Sequence, residues 1–241
     1  MYHKTENGSE FIDAVVDVLR IIIMTTFPGS PKLIKSGLVL LNPSTSAVLR
    51  VIALQYNPDT LTRTLQVQGA GGDGGDRSEA LRLKGPPVET IKLDAVIDAA
   101  DQLEFPEQHQ NVVESGLQTH LAVLETTIYP TSQSLNANNN LASFGTLEIA
   151  PMESALMLFI WSKNRILPVR LTEFSITEEA FDPALNPIRA KVSLGMRVLS
   201  VDDLGFDHKG GSLFMSYLQN KEQLSSKHFS GSLNTFGIEG I

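Results

Sequence analysis

The segment from Leu38 to Gln68 most constrains the fold, because two strand-like patterns flank a turn that neither pattern can continue. Residues 48–54 are largely apolar on both alternating faces, which is typical of a strand covered on both sides. Tyr56-Asn57-Pro58 follows, and proline removes a backbone donor while pushing the preceding residue towards extended geometry. Asn57 can also cap its own turn. We therefore predict that the chain reverses here between two core strands.

Further strand-like segments predict a mainly β fold. They lie at 37–41, 48–55, 61–68, 88–97, 155–161, 165–178 and 188–200. In the last of these, apolar residues at even positions from Ala190 to Val198 alternate with a polar set that includes Arg189, Lys191 and Arg197. Such alternation indicates a sheet with one buried face and one wet face.

One helix interrupts the strands. Pro106 opens a segment with apolar residues at helical spacing, which ends at Tyr129-Pro130. A single helix among many strands favours a closed or nearly closed β-barrel with the helix packed outside it. The glycine-rich stretch 69–76 and the polar stretch 131–145 are predicted to be loops. We divide the chain into an N-terminal arm (1–30), the β-barrel (31–202) and a C-terminal tail (203–241) with a short helix at 213–227.

The N-terminal arm carries an amphipathic pattern. Its apolar stripe at helical spacing consists of Phe11, Val15, Val18, Leu19 and Ile22. Charged residues interrupt this run, which is too short for the roughly 20 apolar residues of a membrane span. It also lacks the pattern of a secretion signal. The stripe predicts packing either on its own domain or on a neighbouring subunit.

Composition excludes several classes of function. The formal net charge of −8 and the pI near 5.1 argue against general binding to nucleic acid or to an anionic membrane, since both require a cationic surface. The chain has no cysteine, which rules out disulfides and thiolate metal sites. This composition fits assembly in the cytoplasm.

No pattern of catalytic residues is complete. The glycines at 69–74 fit G-x-G-x-x-G, but neither an apolar helix nor a Lys-Ser/Thr ending follows them. His109 and His120 would lie about three turns apart on one helix, too far to share a metal. Asp94, Asp98 and Asp101 are interpreted as solvated or inter-subunit acids. We therefore predict no enzyme activity, no cofactor and no metal site.

A resemblance adds a family to this interpretation. Three segments carry it: Pro31-Lys32-Leu33-Ile34-Lys35, Gly37-Leu38-Val39-Leu40-Leu41, and 54–63 with the Tyr56-Asn57-Pro58 turn and the trailing Thr62-Arg63. Residues 31–200 resemble the tube proteins of contractile injection systems, the tube-initiator or baseplate-adaptor subunits of phage-tail-like particles. Many relatives carry a LysM-type module after the barrel, and the roughly 40 residues after Ser200 show no such pattern.

The resemblance implies a tube-protein-like barrel and a structural role. The subunit would form a ring, by analogy a homohexamer, that joins the inner tube to the spike or hub of the baseplate and templates tube assembly. Its partners would be copies of itself, the inner tube protein, the spike or hub protein and other baseplate subunits. The alternative from another class is a carbohydrate- or peptide-binding β-barrel module.

The last strand suggests where neighbours would bind. Arg189, Lys191 and Arg197 form a cationic face in an acidic chain. We expect these residues to meet carboxylates of adjacent subunits or to line the channel. An ordinary solvated face is the alternative.

Overall fold

The computed structural model describes residues 34–69, 82–143, 154–228, 231 and 233–237. Seven strands form one antiparallel sheet in the order β2-β1-β5-β6-β7-β4-β3. They are β1 Gly37–Leu41, β2 Val48–Ala53, β3 Leu61–Gln66, β4 Val88–Asp98, β5 Leu156–Ser162, β6 Arg165–Phe181 and β7 Pro187–Val198. Each coincides with a predicted strand to within a few residues, and the mainly β fold class is confirmed.

The sheet is rolled rather than flat. Five strand spacings separate β2 from β4, or about 24 Å in a flat sheet. Nevertheless Gln55, two residues after β2, donates from Nε2 to the Asp98 carbonyl at 2.7 Å and accepts from the Asp98 amide at 2.8 Å. Among the described strands no backbone ladder joins β2 to β3 or β4. Side chains therefore bridge the gap between the end of β2 and the end of β4, where the rolled sheet closes. We call this gap the seam.

The predicted reversal at Tyr56-Asn57-Pro58 does not join neighbouring strands. β2 and β3, which flank it, are the two edge strands of the sheet. β2 pairs with β1, which precedes it by a connection of six residues, and β3 pairs with β4. Residues 54–60 therefore cross from one edge of the sheet to the other. The predicted turn thus connects two strands that both contact the core but do not pair with each other.

The single helix predicted between the strands is divided, and further helices are present. The helices are α1 Ala100–Leu103, α2 Gln110–Ser115, α3 Gln118–Glu125, α4 Ser132–Ser143, α5 Val201–Leu204 and α6 Lys209–Ser226, with a 3-10 turn at Leu233–Phe236. Gly116 divides α2 from α3 with a φ of 56°, a backbone conformation that favours glycine.

A helix also lies where a loop was predicted. α4 occupies most of the polar stretch 131–145, so that loop prediction was wrong. The Ser134 amide donates to the Thr131 hydroxyl at 3.2 Å, and the Leu135 amide donates to the Thr131 carbonyl at 3.1 Å. This capping at the first turn offsets the weak helix propensity of the Asn-rich run.

All seven strands surround one apolar core. β1, β2, β4, β5, β6 and β7 supply buried side chains to it, Leu61 of β3 packs against it, and α3 adds Leu121 and Leu124. The predicted helix of the C-terminal tail is present as α6, and its Phe214 and Tyr217 belong to the same core. A second buried cluster lies on the opposite face of β1, β5 and β6. The N-terminal arm and residues 70–81 of the glycine-rich stretch lie outside the described residues.

Candidate functional site

The predicted contact residues lie on the outer face of β7, where the structure pairs them within the chain. Arg189 is bonded to Asp98, with Nη2 2.6 Å and Nε 2.7 Å from Oδ2. Lys191 Nζ lies 2.8 Å from Asp94 Oδ2, and the Ser193 hydroxyl donates to Asp94 Oδ1 at 2.6 Å. Both acids come from β4, the hydrogen-bonded neighbour of β7.

The third cation is also paired. Arg197 Nη2 lies 2.8 Å from Asp203 Oδ1 of α5. Asp203 in turn accepts from the Ser200 amide at 3.0 Å, which closes a capping box at the start of this helix. The Arg197 pair therefore fixes the direction in which the C-terminal tail leaves β7.

A fourth ion pair spans three strands. Lys92 of β4 reaches Glu173 of β6 at 2.6 Å, passing over Gly195 of β7. An ideal Cβ at Gly195 would lie 2.8 Å from the Glu173 Cβ, so only glycine fits beneath this pair.

Pairing keeps the two central acids ionised. Hydrogen bonds from Lys191 and Ser193 lower the pKa of Asp94. The Ala100 amide, followed by Arg189, lowers the pKa of Asp98. Because the four cations described above each have a carboxylate beside them, these ion pairs add little net charge to the face.

Asn57 of the Tyr56-Asn57-Pro58 turn ties two distant segments together. Its Oδ1 accepts from the Ser36 amide at 2.8 Å and from the Ser36 hydroxyl at 3.1 Å, and its Nδ2 donates to the Ile34 carbonyl at 2.9 Å. The side chain thus caps the residues that enter β1 rather than its own turn. The Tyr56 hydroxyl donates to Asp101 at 3.4 Å, a long contact at the seam.

An apolar cleft of about 320 Å³ lies at the seam, between β2, the end of β4 and α3. Arg50 of β2 bonds to the Thr126 hydroxyl at 2.8 Å and to the Val123 carbonyl at 3.2 Å, and so holds the end of α3 over this cleft. His120 is half-buried in its wall, and burial lowers the pKa of its imidazole. We expect His120 to be neutral at pH 7 for that reason.

The two helical histidines do not lie on one straight helix. Because the chain bends at Gly116, His109 and His120 both border a polar cleft of about 530 Å³. In the part of the chain that the structure describes, no group of three His, Asp or Glu side chains could hold a metal ion. Trp161 is half-buried against the core, 6.1 Å between ring centroids from Phe159.

A buried polar cluster was missed by the sequence analysis. Glu89 of β4 is 3% exposed and accepts from Arg63 Nε of β3 at 2.6 Å. Arg63 also donates to the Tyr217 hydroxyl of α6 at 2.9 Å, and Lys221 lies 3.4 Å from the other carboxylate oxygen. The Lys221 ammonium sits 4.1 Å above the Tyr217 ring. The sequence did contain a signal for this cluster: Glu89 lies at an alternate position of β4 with Ile91 and Leu93, so its side chain points towards the core.

Both edge strands are exposed. On β2, Leu49 is 57% exposed, and on β3, Leu65 is 45% exposed. The outer half of β6 beyond Val169 also lacks a partner on its β5 side among the described strands. None of the described helices is long and apolar enough to cross a membrane.

Comparisons with known proteins do not identify a family. No protein-family model and no curated protein matches the chain. Among solved structures, the chain is similar to one from "Tail of empty GTA particle computed with helical refinement, C6 symmetry", with a TM-score of 0.27 and 10% identity, covering 68% of this chain and 90% of that chain. A TM-score of this size does not establish a shared fold.

Proposed function

We propose that the chain is a structural subunit of a contractile injection particle. It would form a ring, by family analogy hexameric, that joins the inner tube to the baseplate hub or spike and templates tube assembly. The sequence resemblance over residues 31–200 supports the family. The mechanism is geometric: one side of the ring presents strand edges and side chains on which tube subunits add, and no bond is made or broken.

The observation that carries the proposal is the state of the two edge strands. Monomeric β proteins usually block such edges with lysines, prolines or inward-pointing charges. The charged residue of β2, Arg50, is bonded to α3, and that of β3, Arg63, is bonded to Glu89 and Tyr217. Both arginines point inwards and are bonded within the chain, and neither strand carries a lysine or a proline. Among the described strands, two edges without a backbone partner suit head-to-tail strand addition, which closes into a ring when the rotation allows it.

Blocking the edges tests this proposal. Leu49→Lys with Thr64→Lys places a charge on each edge, at exposed positions away from the core and from Glu89. We expect wild-type protein to form rings in sedimentation velocity and electron microscopy, alone or with the tube and hub proteins. The edge variant should remain monomeric with an unchanged melting temperature.

The matched control is Leu135→Lys on α4, another exposed leucine away from both edges. This variant should assemble as the wild type does. A wild-type chain that stays monomeric with all of those partners, or an edge variant that assembles normally, contradicts the proposal. A monomer that binds glycans tightly would favour the binding-module alternative.

Arg189, Lys191 and Arg197 remain proposed contacts with neighbours or the channel. Because they are paired with acids of the same chain, simple charge reversal would also repel Asp98 or Asp94. The exchange Lys191→Asp with Asp94→Lys keeps the internal pair and moves the cation by one strand. Salt-dependent weakening of ring assembly in this variant, with normal folding, is expected if the face contacts a neighbour. Unchanged assembly at low and high salt would show a solvated face.

A further inference from the structure

One half of the sheet is apolar on its outer face as well as on its inner face. Every residue of β1 and the first five of β5 are buried. The outward-pointing members form the second apolar cluster, which we call the outer apolar face; its buried side chains on the strands are Val39, Leu41, Leu156, Leu158, Ile160 and Ile166. Val51 and Ala53 of β2 pack at its margin.

The described helices cover only one end of this face. Among the described residues, the apolar helical side chains packed against it are Leu204 and Leu213. This cover lies at Leu156, since a Cβ placed on Gly210 would be 3.3 Å from Leu156 Cδ1. Four residues of extended strand, about 13 Å, separate Leu156 from Ile160. Ile160 and Ile166 are nevertheless 1% and 7% exposed, so the far end must be covered by another layer.

The chain enters the described domain at that far end. Gly37 begins β1 and pairs with both Ala53 and Ile160. Just before it, Asn57 fixes Ile34 and Ser36 by three hydrogen bonds. Residues 1–33 therefore leave the domain beside the part of the outer apolar face that lacks a described cover.

The N-terminal stripe has the size and chemistry of the missing layer. Read as a helix, residues 11–22 would be about 18 Å long, and four strands are about 14–19 Å wide. The stripe is apolar, while Asp13 and Arg20 fall on the opposite side of the helical wheel. The eleven residues from 23 to 33 can span up to about 36 Å, which is ample for a return to the face.

We propose that the stripe Phe11, Val15, Val18, Leu19 and Ile22 packs on the outer apolar face of its own chain. A tethered segment experiences an effective concentration of about millimolar, which favours its own domain over a second copy. This inference does not depend on the ring proposal. It assigns the arm to the domain as a third layer and leaves the two sheet edges free for partners.

Cross-linking in the full chain tests the contact directly. Because the chain has no cysteine, the pair Val15→Cys with Ala53→Cys introduces the only two thiols. Ala53 is partly exposed at the margin of the face, so a cysteine there is tolerated. With a short bismaleimide we expect a cross-link within one chain, seen as a faster-migrating monomer on denaturing gels.

The matched control is Asp17→Cys with Ala53→Cys, which moves the first thiol by two residues, about 200° around the predicted helix, to its polar side. It should cross-link at least about tenfold more slowly, because that side faces away from the strand. Covalent dimers from the Val15 pair would place the arm on a second copy and overturn the proposal. Equal rates for both pairs, or no product from either, would overturn it as well.

Thiol protection supplies a second measurement. A lone Val39→Cys reports on the outer apolar face, and a lone Leu38→Cys reports on the inner core. Adding Val15→Asp and Leu19→Asp should accelerate labelling of the outer-face thiol by about tenfold or more while the inner-core thiol stays protected, because protection follows the free energy of local opening. Arg20→Asp, on the polar side opposite the stripe, should leave both protected. Continued protection of the outer-face thiol in the stripe variant contradicts the proposal. If the stripe variant unfolds and both thiols are labelled rapidly, the cross-linking experiment tests the proposal instead.

Discussion

The two halves of the sheet differ in what lies on their outer faces. In β1 and β5 the outward residues are apolar and buried. In β4 and β7 several outward residues are charged and are joined in ion pairs across the two strands. The inner faces of both halves belong to one core. The β1 and β5 half of the sheet is therefore covered on both faces, whereas the β4 and β7 half is covered only on its inner face.

This difference determines how each half gains stability. Apolar burial on two faces contributes roughly 25 cal/mol per Å² on each face, so the β1 and β5 half depends on whatever covers it. Exposed ion pairs contribute about 0–1 kcal/mol each, so the β4 and β7 half depends mainly on its inner face. Substitutions on the outer faces of the two halves should therefore have very different effects.

The largest expected effect comes from Leu158→Ala. This side chain is fully buried on the outer apolar face, and its loss leaves a cavity. We expect the free energy of unfolding to fall by about 2–5 kcal/mol. Ser175→Ala, on the exposed part of β6, should change it by no more than about 0.5 kcal/mol. Urea unfolding followed by tryptophan fluorescence measures both, and equal effects would end the distinction between the two halves.

The buried cluster at Glu89 gives the next effect. Glu89→Gln keeps the size of the side chain but leaves Arg63 and Lys221 without a carboxylate. We expect a loss of about 2–3 kcal/mol, below the usual cost of breaking a buried pair because both cations are partly exposed. Glu173→Gln, in the exposed pair with Lys92, is the control and should cost at most about 1 kcal/mol. The backbone amides of α6 should also exchange hydrogen faster in Glu89→Gln. Unchanged protection of these amides would argue against a role of Glu89 in holding α6.

Asn57→Ala should have an intermediate effect. It removes three hydrogen bonds that tie the turn to the entry of β1, so we expect a loss of about 1–3 kcal/mol. Asn42→Ala is the matched control, because Asn42 bonds only within its own exposed turn. If both variants melt at the same temperature, Asn57 is not a tie between distant segments.

The smallest effect is the acid dependence of the charged half. The pKa of Asp98 is lowered in the folded state by the Ala100 amide and then by Arg189, from an ordinary value of 3.8. Its contribution to stability is therefore present above about pH 4 and is lost as pH falls through the lower folded pKa. Asp98→Asn should flatten the stability profile below about pH 5 and leave its shape unchanged between pH 6 and 8. A parallel profile for wild type and variant would contradict this assignment.

Alternation in the sequence was sufficient to locate the strands. All seven were predicted, because side-chain parity is a local property of an extended chain. The double apolar character of residues 48–54 was misleading: β2 is an edge strand whose Leu49 is 57% exposed, and the strand buried on both faces is β1. The helices were harder, since the break at Gly116 depends on its contact with Pro187 and the start of α4 depends on one capping threonine.

The candidate contact residues show the same limit. Parity placed Arg189, Lys191 and Arg197 on one wet face, and the structure agrees. The partners of Arg189 and Lys191 could not be predicted, because Asp98 and Asp94 precede them by about 90 residues and become neighbours only when β4 pairs with β7. Glu89 was overlooked for a related reason: its partners come from β3 and from α6.

The sequence by itself determined which residues extend, which faces are apolar and where the chain cannot continue a strand. Only the tertiary structure decided the strand order, the position of β2 and β3 at opposite edges, and the ion pairs on the outer face of β4 and β7. The physical reason is range. Alternation and proline act on adjacent residues, whereas strand pairing is decided by which apolar surfaces bury one another across the whole chain.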